Sequence, residues 1–365
     1  MDIVRSVREA AGLARAPLLV LDRLESFLDA SGLGSGAVRA ERIGDGGGSN
    51  FSFLVVRGDD RYVLRRPPRP PLPPSAHDMV REARLQLALA PHGIRLPPIL
   101  AVCDDEAVIG VPFYVMAYLD GHVVTTELPP GLDEPDARRR LGNELVDALV
   151  EIHGANVADP GLATFAREGS YLGRQVRRFT QLWGINATRE IPAVPEVASR
   201  LAEKLPEARP NTVVHGDYRL GNLMVERERP DRVQAVLDWE MGAIGDPRAD
   251  LGYLLATYTE PGGELSPLGV GSVTALDGFP SKAELVTRYV ERSGRDVGPL
   301  GWFEALALWK AAVFCEAIFG RFARGELGEE DVRAAAFEQA VPLMAETAAE
   351  RLDTSEQAGK RGSVA

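Results

Sequence analysis

The chain has 365 residues, 45% of them hydrophobic, and carries 41 Lys and Arg against 53 Asp and Glu, a formal net charge of -12. That length exceeds what one compact core needs and suits two lobes making one functional unit. The acid excess excludes a broad nucleic-acid surface, because a phosphate backbone would be repelled at long range.

The first apolar run, within residues 1–24, is too short and too interrupted by charge to span a membrane or act as a clear signal peptide, so no membrane partner is expected. Leu18, Leu21, Leu24 and Leu28 recur at helical spacing and Gly32 stops the run, which predicts a first helix. Three short strand-like runs follow, at 39–43, 51–56 and 61–65. The glycine cluster 44–48 and the turn Gly58-Asp59-Asp60 separate them. The proline-dense stretch 66–75 is a loop, since each proline removes a donor and fixes φ. Ser75 can cap a helix reaching about Ala90, and 99–103 and 113–119 complete the strands of a small lobe.

Past Gly121 the pattern turns helical, at 137–153, 170–183, from Leu251 onward, at 282–292 and at 302–324. Short strands at 212–214, 223–225 and 233–237 interrupt it, and 261–280 reads as a Gly, Pro and Ser loop. The aromatics of 302–322 are expected to pack the core of this second lobe. Residues 351–365 lose hydrophobic periodicity and read as a flexible tail. The expected division is an N-lobe at 1–117, a C-lobe at 118–350 and the tail. Cys103 and Cys315 have neither metal-ligand nor disulfide spacing, which points to a reducing, cytoplasmic setting.

The informative stretch is VVHGDYRLGNLMV, 213–225, followed by VLDWEMGAIGDPRADLGYL, 236–254. Phosphoryl transfer requires a carboxylate to orient and deprotonate the hydroxyl, and oxygen ligands to hold Mg²⁺ against phosphates. Asp217 supplies the first; Asn222 and Asp238 supply the second. Taken singly, these are ordinary turn residues. Taken as two linked blocks, with strands on either side, they form a specific signal.

HGDYRLGN resembles the HGDxxxxN loop of aminoglycoside phosphotransferases and choline kinases, the counterpart of the protein-kinase HRDxxxxN loop. Asp238 falls where those families place the metal-binding aspartate, although Trp239 stands in place of the DFG phenylalanine. The resemblance implies an α+β, bilobal protein-kinase-like fold, with a small antiparallel-sheet N-lobe carrying one main helix and a larger, mainly helical C-lobe. It further implies ATP and Mg²⁺ as cofactors. Asp246 and Asp250 match the pattern further downstream, where the later acid braces the catalytic loop, and His153 matches a packed, structural histidine.

Other positions gain meaning from that order. Gly44, Gly46, Gly47, Gly48 and Ser49 form a loop whose backbone N–H groups can approach phosphates. At Tyr62-Val63-Leu64-Arg65-Arg66 an arginine replaces the kinase lysine. Strand alternation puts Arg65 on the working face with Val63 and turns Arg66 away. Glu82 is the helix partner of Arg65, and Met116, Ala117 and Leu119 mark an adenine-binding hinge.

The segments YVLRRPP, SYLGRQVRRFTQLW and WKAAVFCEAIFGRFARGEL resemble the kinase-like domain associated with some acyl-CoA dehydrogenases. That similarity suggests a hydroxylated acyl or other anionic small-molecule acceptor, with Arg174, Arg177, Arg178, Arg219 and Arg321 available to bind it. It also suggests association with fatty-acid or acyl-CoA metabolism. An aminoglycoside or amino-alcohol kinase and a nucleotide-binding pseudokinase remain alternatives, the latter favoured by the replaced lysine.

Overall fold

The computed structural model describes residues 2–44, 50–70, 72, 77–268, 272–325 and 332–362. The chain divides into two compact units, one of Met1–Pro91 with Leu96–Asp120 and one of His92–Arg95 with Gly121–Ala365.

The first unit is built on a five-stranded antiparallel sheet. In spatial order its strands are Val38–Ile43, Phe51–Arg57, Asp60–Arg66, Phe113–Ala117 and Ile99–Cys103. Strand alternation divides its side chains between two faces. Phe53, Val55, Leu64, Phe113 and Val115 pack one face together with Leu21, Leu24 and Leu28 of the helix Leu21–Ala30. Tyr114 turns to the other face and meets Met79 and Ala83 of the helix Met79–Leu89, beside Met116. Leu18 and Leu19 are buried in the first of these cores, but the helix there begins only at Leu21, because Leu19 pairs in parallel with Ile3. Ser75 lies outside the described residues. The helix it was expected to cap starts at Met79, with Asp78 accepting from the Arg81 N–H at 2.9 Å.

The second unit is mainly helical. Helices Tyr171–Asn186, Ala193–Glu203 and Gly301–Ala323 meet the last helix, Val332–Gly362, around a core that contains Phe179, Val197, Phe303, Trp309 and Met344. Trp302, Phe303 and Trp309 are buried there as the sequence predicts, whereas Phe314, expected in the same core, is exposed; the Trp309 indole N–H donates to the Val194 carbonyl at 3.0 Å. The helix Ala193–Glu203 was not singled out in the sequence; it forms although Pro192 and Pro195 punctuate its start, since prolines there displace no intrahelical hydrogen bond. Residues 351–362, expected to be loose, continue the last helix, and Leu352 is anchored in the core.

Two small sheets carry the chemistry-bearing turns of this unit. Leu223–Glu226 pairs antiparallel with Val233–Val236 and with Gly121–Val123, and Thr212–Val214 pairs with Ala243–Gly245. Among the described residues no helix is long and apolar enough to cross a membrane.

Candidate active site

The strand Thr212–Val214 leads into His215-Gly216-Asp217, where Gly216 takes φ +87°. A Cβ there would lie 2.8 Å from Met241 Cβ and 2.9 Å from its carbonyl oxygen, so both conformation and space require glycine. Buried Asp250 accepts from the His215 and Gly216 N–H groups, each at 2.7 Å, and from His153 Nε2 at 3.2 Å. His153 in turn meets the Tyr289 hydroxyl at 2.7 Å. Burial by itself would raise the Asp250 carboxyl; the hydrogen bonds from His153 and from the Gly216 N–H help to outweigh it and hold the group below its ordinary range. Asp246 pairs with Arg248 at 2.7 Å instead. Both acids therefore hold the framework, as the sequence suggested.

The turn Leu220–Asn222 returns the chain to the next strand, and the Asn222 side-chain N–H₂ donates to the carbonyl and to Oδ2 of Asp217, each at 2.8 Å. Both acceptors fix the amide's orientation and leave its oxygen for another ligand. Leu223 is registered against Val236, and Leu237 N–H donates to the Asn222 carbonyl at 2.8 Å, so Asn222 and Asp238 occupy the same end of one hairpin. Asp238 has left-handed backbone angles, φ 64° and ψ 65°. A non-glycine residue held there is costly and occurs where surrounding structure enforces it.

Asp217 Oδ1 is buried and has no hydrogen-bond partner among the described residues; Arg219 Nε lies 3.7 Å from it. The amide oxygen of Asn222 and the carboxylate of Asp238, brought to one hairpin end by the backbone register, are a donor pair suited to a hard divalent cation such as Mg²⁺. No group of three or more His, Cys, Asp or Glu able to hold a metal occurs among the described residues. A cation held by this pair would thus need oxygens from a ligand or water to complete its shell.

In the first unit, Arg65 faces the helix Met79–Leu89 and pairs with Glu82 at 3.2 Å; Glu82 is 1% exposed. The Tyr114 hydroxyl donates to Glu82 Oε1 at 3.0 Å and accepts from Gln86 at 3.3 Å. Arg66 points the opposite way into the other core, where its guanidinium meets the Pro67 and Leu18 carbonyls and burial lowers it to about 10. Of the glycine loop, Gly44 has φ +85°, while Gly46, Gly47, Gly48 and Ser49 lie outside the described residues. Met116 and Ala117 end a strand registered against Val63 and Tyr62, and Leu119 follows it. Ala117 gives its N–H to the Pro98 carbonyl at 2.8 Å, so only its carbonyl can serve an adenine edge.

Of the arginines suggested for the acceptor, Arg219 stands beside Asp217, whereas Arg174 holds the carbonyls of Arg167, Glu168 and Gly169 ahead of its own helix. Arg177, Arg178 and Arg321 are exposed. Two residues escaped the sequence reading. Half-buried Tyr253 has a hydroxyl raised well above its ordinary value by burial and by the Asp217 charge. Burial lowers the amine of Lys310 to about 8, against the opposing charges of Asp250 and Asp217. The signal for Lys310 was present, a single cation in the apolar run LALWKAAVF.

The family model of the phosphotransferase enzyme family matches residues 40–285, a span that contains Arg65, Glu82, Asp217, Asn222, Asp238 and Asp250. This chain belongs to that family. Among solved structures, an aminoglycoside-phosphotransferase candidate from Ralstonia eutropha is 29% identical, with a TM-score of 0.75 over 91% of this chain and 98% of that one. A spectinomycin phosphotransferase, solved with ADP and spectinomycin, shares the fold at 13% identity and a TM-score of 0.57, covering 91% of this chain and 99% of that one. The architecture of this phosphotransferase is accordingly the protein-kinase-like one, a sheet lobe and a helical lobe.

Among curated proteins, acyl-CoA dehydrogenase family member 10 of Mus musculus is 34% identical over 289 residues, 77% of this chain but 26% of that protein. Family member 11 of Homo sapiens is 32% identical over 315 residues, 84% of this chain and 40% of that protein. The chain thus spans between a quarter and two fifths of the length of these relatives.

Proposed function

We propose that this phosphotransferase is an ATP- and Mg²⁺-dependent small-molecule kinase that moves the γ-phosphoryl group to a hydroxyl of an anionic acceptor, in the hydroxyacyl class. The observation that carries this reading is the convergence of Asp217, Asn222 and Asp238 at one end of the catalytic hairpin. Asp217 orients the acceptor hydroxyl and takes its proton as the oxygen–phosphorus bond forms and the bond to the ADP oxygen breaks. Asn222 and Asp238 hold Mg²⁺, which supplies charge neutralisation on the phosphates. Arg65, steadied by Glu82, binds phosphate oxygens; the glycine segment Gly44 to Ser49 covers them; and the Met116–Leu119 backbone receives the adenine. Catalysis by such a site is positioning and electrostatics, with no covalent enzyme intermediate.

The hydroxyacyl preference rests on the identity to proteins named as acyl-CoA dehydrogenase family members and on the Arg219 guanidinium beside Asp217. The same likeness favours a working association with acyl-CoA metabolism. Purified protein incubated with ATP, Mg²⁺ and a panel of hydroxy acids, hydroxyacyl thioesters, amino alcohols and aminoglycosides tests the reading. Phosphorylated acid or thioester is expected, lost by about 10²- to 10⁴-fold in Asp217→Asn with nucleotide affinity retained. Transfer by the variant at the wild-type rate removes Asp217 as the base. Nucleotide binding without transfer to any member of the panel would make the chain a binding module.

A further inference from the structure

A cavity of about 200 Å³ in the helical unit is bordered by Arg209 and Pro210 ahead of the strand Thr212–Val214, by Arg248 at the start of the helix Arg248–Thr257, and by Tyr289, Arg295 and Asp296 at and beyond the end of the helix Lys282–Ser293. None of these residues belongs to the catalytic turn or to the hairpin end of Asn222 and Asp238. Three guanidinium groups therefore border one opening, in a chain whose net charge is -12. Asp296, itself exposed, is the one acid among the described residues that line it.

Their bonds to the protein leave many donors unused. Arg248 is 6% exposed and lies over the Phe303 ring, whose centroid is 4.7 Å from Cζ. Its Nε and Nη2 are held by Asp246 at 3.0 and 2.7 Å, and Nη2 also reaches the Glu207 carbonyl at 2.7 Å; Nη1 has no partner among the described residues. A guanidinium so fixed presents its free edge with little further loss of freedom. The Arg295 side chain gives only Nη2, to the His153 carbonyl at 3.0 Å, and makes no ion pair among the described residues. Arg209 pairs through Nη2 with Asp296 at 2.9 Å. The N–H groups of Arg248 Nη1 and of Arg295 Nε and Nη1 thus stand available at the border of one cavity.

That donor set fits a phosphate group. A phosphate monoester has three terminal oxygens and a charge of about -1.5 to -2 at neutral pH, enough to engage several guanidinium groups, whereas one arginine fork already matches both oxygens of a carboxylate. The volume equals the liquid share of about six waters, room for a phosphate with a short organic remainder. We propose that this cavity is a second ligand site, binding the phosphate group of a small molecule through Arg248, Arg295 and Arg209. The assignment is independent of the kinase reading, since it needs neither ATP nor an acceptor hydroxyl. Two of its walls also hold His153, Tyr289 through Nδ1 at 2.7 Å and Arg295 through the carbonyl, so a bound phosphate would stand beside the residue that supports Asp250.

The test titrates the full chain calorimetrically with glycerol phosphate, inorganic phosphate and butyrate at constant ionic strength. Hydrogen exchange with and without glycerol phosphate locates the site. Wild type is compared with Arg295→Gln and Arg209→Gln, both at partly exposed side chains, each first shown to melt as wild type does. Glycerol phosphate is expected to bind one site and to slow exchange around Arg209 and Arg295. Arg295→Gln should weaken it by about 10- to 100-fold, the worth of a charge-assisted hydrogen bond, and Arg209→Gln by less, because Asp296 already holds that guanidinium. Whichever of glycerol phosphate and inorganic phosphate binds more tightly distinguishes an ester from the free ion. Heats no larger than those of sodium chloride, butyrate bound as tightly as glycerol phosphate, protection confined to the catalytic turn, or unchanged affinity in both variants would each overturn the assignment.

Discussion

The Nε2 of His215 lies 2.8 Å from the carbonyl oxygen of Leu237, the residue before Asp238. A carbonyl only accepts, so Nε2 carries the proton, and Nδ1 is left to accept the Asp217 N–H at 3.3 Å. One neutral imidazole therefore sets the spacing between the proposed base and the proposed metal ligand. His215→Phe preserves ring volume and its edge contact with Trp239, whose centroid is 4.7 Å away, but removes both bonds. Phosphoryl transfer should fall by about 10²-fold, the scale for a displacement of roughly 1 Å at a reacting centre, with nucleotide affinity little changed. Single-turnover rates beside nucleotide titrations check this; equal losses in both would point to general unfolding.

Asp250 performs the same service from below the loop, and its effect on stability is pH-dependent. Its folded carboxyl sits below the unfolded value of 3.8, so its contribution is complete above that pH and is lost as pH falls through the folded value. Asp250→Asn should cost about 3–5 kcal/mol at pH 7, because a neutral amide cannot satisfy two backbone donors and a histidine at once. Urea titrations from pH 7 to 3 should show the gap narrowing only below about pH 4. A gap that stays constant to pH 3 would contradict the linkage.

Gly216→Ala probes the turn itself. The left-handed φ costs an alanine about 1–2 kcal/mol, and the Met241 contacts at 2.8 and 2.9 Å add an overpacking cost of about 1–3 kcal/mol. A total near 2–5 kcal/mol is expected by denaturant unfolding. A loss under 1 kcal/mol would mean that the turn relaxes freely.

The ion pair of Arg65 and Glu82 makes a separable prediction, since it belongs to the first unit. Glu82→Gln keeps the side-chain volume and an acceptor for Tyr114 but releases Arg65 from its 3.2 Å partner. Nucleotide affinity should weaken by about tenfold, one charge-assisted bond's worth, while acceptor affinity is unchanged. An unchanged dissociation constant for ATP would remove Arg65 from phosphate binding.

Much of this arrangement was legible in the sequence because it depends on local order. The offset from Asp217 to Asn222 and the strand parity that separates Arg65 from Arg66 are periodic facts, and the structure follows both. What escaped depends on contacts distant in the chain. The helical state of 351–362 comes with Leu352 reaching a core shared with Val197 and Trp309, whereas its own polar composition signals a loose end. The Ala117 N–H is used by Pro98, a pairing set by sheet register and not by the hinge motif. Lys310 lies 93 positions beyond Asp217, and only tertiary packing reveals that the two charges act on each other.

The buried Lys310 yields the last prediction. The folded amine, at about 8, binds its proton more weakly than the unfolded chain does at 10.5. Below pH 8 both states are charged and the native state bears the whole penalty. Between pH 8 and 10.5 the unfolded chain holds more protons, so wild-type stability rises with pH. Lys310→Met should therefore stabilise the fold at pH 7 by roughly 3 kcal/mol, less whatever the Phe179 ring returns, and the gain should fade as pH approaches 10.5. Denaturant midpoints at pH 7, 9 and 10.5 measure it. Destabilisation by Lys310→Met at pH 7 would show that the ammonium is satisfied within the fold.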